Sequence, residues 1–292
     1  MDSDEIVYKY EGWLRVVKLI IPYFFIISVF HLIGYLIAGV DFSNLESEET
    51  SVQKIIIQIL SLLGTFFTLW LFMKHIDKQA FLDLGLHIKN RLRDFIQGSL
   101  IGFVLIALGV ALLVILKEIS NMGLDVNFKE IFLSIVLFII VAITEEALVR
   151  GYILKNLMVS FNKYIALIVS SILFSILHCL NPNIDFISFL NLFLAGLLLG
   201  LPYIYTKNLW FPIGLHFSWN LIQSLTGFNV SGLEHYSIVS FTIEEPNFWN
   251  GGSFGLEGSV IAITLQVIAI LILYYRRSKF HSITYLTPSV KK

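Results

Sequence analysis

Eight apolar runs, each about as long as a bilayer is thick, constrain this chain more than any other feature. A membrane-crossing helix needs about 20 mostly apolar residues. The runs fall at roughly 16–40, 54–74, 95–116, 130–157, 164–181, 184–206, 209–227 and 257–275. Their period is helical, and no run shows the alternation of a barrel strand. Composition agrees: 57% of residues are hydrophobic, 14% are charged, and mean hydropathy is +0.80, whereas soluble domains carry about 25% charged residues. The expected fold class is an all-α integral membrane protein, a bundle of about eight transmembrane helices forming a single polytopic domain over 1–292.

Charge sets further bounds. The net charge of −1 leaves no basic surface for nucleic acid. The first residues, "MDSDEIVYKYEGW", are acidic, without the basic start and small-residue cleavage site of a secretory signal. One cysteine, Cys179, rules out an internal disulfide. With the N-terminus inside, sixteen Lys and Arg residues lie in inner segments, Arg15, Lys74, Lys155, Lys207 and Lys279 among them. Only Lys54, Lys117 and Lys129 lie outside. Basic loops stay cytoplasmic, so both termini are expected in the cytoplasm of a multi-pass cell-membrane protein. The basic segment 76–94, "IDKQAFLDLGLHIKNRLRD", is amphipathic and is expected on the membrane surface. The segment 228–256, which has no Lys or Arg, is expected as an extracytoplasmic loop. Gly98 and Gly102, and likewise Gly196 and Gly200, have the spacing that lets helices approach closely.

The fourth run ends in "AITEEALVRGYIL", residues 142–154. Each charge at membrane depth costs about 2.5–3.5 kcal/mol on insertion scales. Glu146 and Arg150 are four apart and share a helix face, so they can pair. Glu145 points about 100° away and lacks that partner, which suits a general base or acid. An internal salt-bridge cluster is the structural alternative. His178 lies in the fifth run, four residues after Phe174. His216 and Asn220 lie one turn apart in the seventh, and Gln223 continues that polar stripe. Of the other histidines, His31 reads as a core or interhelical group, and His75, His87, His235 and His281 read as solvated. Cys179 reads as a packed thiol.

Simple depth arithmetic lets these groups meet. Glu145 and His178 lie 16 and 17 residues from the hairpin tip at Phe161, roughly 25 Å at 1.5 Å per residue. His216 and Asn220 lie about 9 and 13 residues from Lys207–Asn208, roughly 13–20 Å. The levels match if the polar hairpin "LKNLMVSFNK" projects beyond the membrane. A shared site halfway into the bilayer, opening inward, is then expected. A carboxylate, two imidazoles and a carboxamide suit water-activated hydrolysis. They also resemble a zinc site formed by Glu145, His178 and His216, although no HExxH is present. No GxSxG appears either.

"EEALVR" at 145–150, "FSILH" at 174–178 and "HFSWN" at 216–220, in that order on successive runs, resemble the motifs of the CAAX-prenyl-protease and bacteriocin-processing (CPBP, "Abi") family of intramembrane endopeptidases. The resemblance covers roughly 95–226, the expected catalytic core. It implies that Glu145 activates water with His178, that His216 and Asn220 stabilise the oxyanion, and that Glu146, Arg150 and Phe174 support the site. Members are often labelled metalloproteases, yet the glutamate mechanism requires no metal cofactor, and the metal-free version is favoured here over zinc. The implied substrate is a peptide or a membrane-protein tail, with bacteriocin maturation or self-immunity as the family-level analogy. The chain gives no signal for oligomeric state. A non-enzymatic membrane scaffold of the same fold and an ion- or proton-coupled transporter are the rival readings. Against the transporter, no internal repeat or matched pair of broken spans is seen.

Overall fold

The structure is a computed structural model that describes residues 3–41 and 49–277. His281, Lys279, Lys291 and Lys292, and most of the loop 41–50, lie outside the described residues. Eight helical rods make up the described chain. They are α1 (Ser3–Ala38), α2 (Ser51–Phe72), α3 (Leu92–Ile115), α4 (Phe128–Ser160), α5 (Lys163–Leu177), α6 (Phe186–Thr206), α7 (Trp210–Leu225) and α8 (Val260–Tyr275). The all-α membrane bundle read from the apolar runs is therefore present.

Five of the rods are long and apolar enough to cross a membrane: α1 through α4, and α6. α5, α7 and α8 have 15, 16 and 16 residues. At 1.5 Å per residue they extend about 22–24 Å, short of the roughly 30 Å hydrocarbon core. The sequence windows at these places ran on through turn residues; α5, for instance, stops at Leu177 and His178 caps it. A span that ends early leaves polar backbone at depth, which is tolerated where it is buried in protein or lines a cavity.

The rods meet through small residues. A Cβ at Gly98 would lie 2.1 Å from the Phe211 carbonyl, and one at Gly214 would lie 2.2 Å from the Phe95 carbonyl. These contacts seat α3 against α7 backbone to backbone. Gly196 does the same for α6 against Ser171 of α5, with 2.7 Å left for a Cβ. Both glycine pairs therefore pack helices of the same chain together. Side chains such as Ile21, 80% exposed, and Phe25, 70% exposed, line the outer face of α1, as expected where the solvent is lipid.

One end of the bundle is sealed. The segment 76–94 is no single surface element. A π turn at Met73–Asp77 follows α2, then a 3₁₀ turn at Phe81–Leu84, and Leu84 and Leu86 point into protein with Leu84 fully buried. Polar bonds hold the segment in place. Arg15 Nη1 donates to Asp77 Oδ1 (2.8 Å), Lys155 Nζ to Gln79 Oε1 (2.6 Å) and Tyr203 Oη to the Leu84 carbonyl (3.1 Å). The Leu209 amide donates to the Gly85 carbonyl (3.0 Å). Tyr152, Leu154, Tyr203 and Leu209 complete a fully buried layer.

The other end is irregular. A two-stranded antiparallel ribbon pairs β1 (Ser120–Leu124) with β2 (Val239–Thr242), joining the loop before α4 to the loop after α7. This small sheet has no counterpart in the helical reading of the sequence. His75 and His87 are exposed as expected. His235 is half-buried rather than fully solvated: its ring packs on Phe138, centroids 5.0 Å apart, and burial together with Lys54 pushes its pKa down to about 4. Cys179, expected as a packed thiol, is exposed, because α5 ends two residues earlier and the turn swings it outward.

Candidate active site

Glu145 and Glu146 stand where α4 changes its winding. The helix is α-helical through Glu146, and Ala147–Leu154 form a π segment before α-helix resumes at Lys155. Insertions of this kind widen a helix locally and are frequent at functional sites. The three charges fall at that junction.

Glu146 is fully buried and Arg150 is 1% exposed. Arg150 Nη1 donates to Glu146 Oε1 at 2.7 Å and Nη2 to the Gly196 carbonyl at 3.3 Å. The guanidinium also lies over the Phe174 ring, 4.4 Å from its centre. His216 of α7 reaches the same carboxylate oxygen through Nδ1 at 2.8 Å. A carboxylate only accepts, so that nitrogen carries hydrogen and Nε2 faces the other way. A buried charge survives when it is paired and bonded; here one carboxylate serves two donors on two helices.

Glu145 faces a different space. Its side chain is 32% exposed, and its Oε2 lies 3.8 Å from His178 Nε2 and 4.0 Å from His216 Nε2. That oxygen has no hydrogen-bond partner in the protein among the described residues. His178, at the end of α5, turns Nδ1 to the Phe174 carbonyl at 2.8 Å. A carbonyl also only accepts, so Nδ1 is the N–H and Nε2 is the nitrogen turned toward Glu145, bare whenever the ring is neutral. The Phe174 ring sits between the groups, 4.7 Å from His178 and 6.4 Å from His216, centre to centre. Asn220 lies one turn beyond His216 and lines the same cavity. No other described residue takes its carboxamide.

Glu145, Glu146, Arg150, Phe174, His178 and His216 therefore form one cluster, with Asn220 on the wall of the same cavity. Gln223 leaves the stripe: it is buried and donates to the Asn229 carbonyl at 2.7 Å, holding the loop after α7. Two groups escaped the reading of the sequence. His31 lines the cavity rather than a helix contact. Glu257 also lines it and binds Trp219 Nε1 (3.0 Å) and the Ser231 amide (2.7 Å). Its position in an apolar run is the same signal that exposed Glu145 and could have marked it.

The cavity holds about 800 Å³, and it does not open toward the 155–163 hairpin as the depth arithmetic led one to expect. An opening at that end would bring the walls down to the hairpin at 155–163 and the link at 207–209. None of those residues lines it. Its innermost walls are Leu148, Val149, Leu199 and Leu215, and its rim is Tyr35, Glu49, Lys54, Asn181, Glu234 and His235. The depth arithmetic placed the groups on one level, but it carried no information on which end the packing closes.

Ligands 2.0–2.1 Å from a tetrahedral zinc stand about 3.3 Å apart, and the Glu145 distances to His178 and His216 exceed this. Among the described residues no group of three His, Cys, Asp or Glu side chains is arranged to hold a metal ion.

Residues 127–222 match the Rce1-like type II CAAX prenyl endopeptidase family. The Rce1-like match runs from the cap of α4 to within three residues of the end of α7, about a third of the chain, and contains every residue of the cluster. It supports a membrane-embedded endopeptidase as the class of this protein. No curated protein and no solved structure matches the chain.

Proposed function

We propose that this chain cleaves a peptide bond within the membrane by adding a water activated by Glu145 and His178, without a metal. The observation that carries the reading is the unpaired Glu145 oxygen, facing Nε2 of His178, bare in the neutral ring, across 3.8 Å in a solvent-connected cavity. Two acceptors so placed can orient one water by taking its two hydrogens. Glu145 then takes a proton as the water oxygen attacks the carbonyl carbon, and returns it to the leaving amine. His216 and Asn220 are the donors on the opposing helix for the oxygen that becomes negative.

Charge counting supports the role of His216. Glu145 and Glu146 together carry two negative charges and Arg150 one positive. One further proton makes the cluster neutral, and His216, held by Glu146, is placed to carry it. Its Nε2–H would then point into the cavity toward the developing oxyanion. Glu146, Arg150 and the Phe174 ring act as positioning groups that fix the imidazole.

The substrate read from the site is a peptide or the tail of a membrane protein. A CAAX-type tail follows from the family name, and bacteriocin processing or self-immunity from family analogy. The test is turnover by purified protein on a library of apolar peptides, with Glu145→Gln as the control. Cleavage by the wild type that the variant lacks supports the reading. A wild type that binds peptide and never cleaves it favours the scaffold alternative.

A further inference from the structure

We infer that the cavity is entered from the extracytoplasmic side, and that the segment cleaved is presented at the outer face of the membrane. Two independent observations carry this. The first is the distribution of charge. The end of the bundle that bears Arg15, Lys74, Lys155, Lys163 and Lys207 is strongly basic, whereas the opposite end bears Lys54, Lys117 and Lys129. Basic loops are retained in the cytoplasm. The second is the packing. The basic end is closed by the buried layer of Leu84, Tyr152, Leu154, Tyr203 and Leu209, and every rim residue of the cavity belongs to the other end.

The rim is a built structure. Lys54 Nζ at the start of α2 donates to the Glu234 carbonyl at 2.6 Å. Asn181 Nδ2, in the turn after α5, donates to the Ser231 carbonyl at 2.9 Å. Glu257 holds the same loop through the Ser231 amide and hydroxyl, at 2.7 and 3.0 Å. The loop after α7 is thus fastened to α2, to the turn after α5 and to Glu257, and its residues 230–235 form part of the cavity lining. Below the rim the walls are apolar, with Phe24, Ile27, Leu137, Val141 and Leu192. A polar ring above an apolar shaft that ends at Glu145 fits an extended, mostly apolar peptide segment entering from the polar outer surface. Only the identity of this occupant rests on the peptidase reading; the direction of entry does not.

The test reads access rather than turnover. In a Cys179→Ser background, single cysteines are introduced at Ala195, on the cavity wall, and at Asn162, beyond the sealed end. The probe is a small, membrane-impermeant cationic methanethiosulfonate, applied to intact cells and to inverted vesicles. The expected result is labelling of Ala195→Cys in cells and its loss in inverted vesicles, with the reverse pattern for Asn162→Cys. Labelling of Asn162→Cys in intact cells would overturn the inference, because the opening would then face the cytoplasm. Labelling of Ala195→Cys from the vesicle side alone would overturn it too. So would failure to label both Ala195→Cys and a second wall variant, Val141→Cys, in folded protein. None of these results depends on cleavage, so failure of the peptidase reading leaves the inference standing, and the reverse also holds.

Discussion

Glu145 and Glu146 are chain neighbours with different surroundings, and the difference sets what their loss should do. Glu146 is fully buried, with Arg150 and His216 both on one of its oxygens. Removing one partner of a buried pair costs about 3–5 kcal/mol, so Glu146→Gln should lower both activity and thermal stability. Glu145 faces the cavity with an unpartnered oxygen, so Glu145→Gln should abolish cleavage and leave the melting temperature nearly unchanged. Equal unfolding of the two variants by thermal shift would refute this division of labour. Asn220 faces the same space without a protein partner among the described residues. Loss of one oxyanion donor typically slows turnover by about 10²–10³, so Asn220→Ala should reduce kcat by that factor with little change in KM. A change confined to KM would make Asn220 a binding residue.

At the scale of elements, α7 carries His216 and Asn220, and α3 holds it in place. The contact is backbone to backbone, with no room for a methyl group at Gly98. Overpacking a fitted contact costs about 1–3 kcal/mol, so Gly98→Ala should destabilise the protein in a detergent melt, and activity should fall as α7 shifts. Unchanged stability would show that the helices separate without cost. The loop after α7 offers a second test. His235 is held neutral, its pKa pushed down from 6.5 to about 4 by burial and Lys54. Between those values the unfolded state binds the proton and the folded state does not, so stability falls as pH drops from about 6.5 toward 4. The melting temperature should therefore fall more steeply over that range in the wild type than in His235→Gln. Parallel profiles would place the pH sensitivity elsewhere.

For the whole molecule, the question is what it needs in order to work. The proposed chemistry is complete in its own side chains, so activity should survive exhaustive chelation, and elemental analysis should find less than one metal per active chain. Stoichiometric zinc that leaves with activity and restores it on return would make Glu145, His178 and His216 ligands instead. Much of this site was legible in the chain. Lipid excludes uncompensated charge, so Glu145, Glu146 and Arg150 stood out against an apolar run, and helical spacing paired the last two. The same constraint made the bundle of about eight helices readable, because each apolar run can satisfy its backbone only as a helix. What the sequence could not supply was anything set by contact between distant segments. The π segment after Glu146 leaves the apolar pattern of α4 unbroken. The sharing of Glu146 between Arg150 and His216 requires two helices to meet. The burial of His235 depends on Phe138, nearly a hundred residues away. Most of all, the direction of the cavity depends on which end is filled, and Leu84 fills one end only because Lys155, Tyr203 and Leu209 hold its segment there. Periodicity and polarity are local properties of a chain, whereas an opening is the space that packing leaves, and only the tertiary structure determines it.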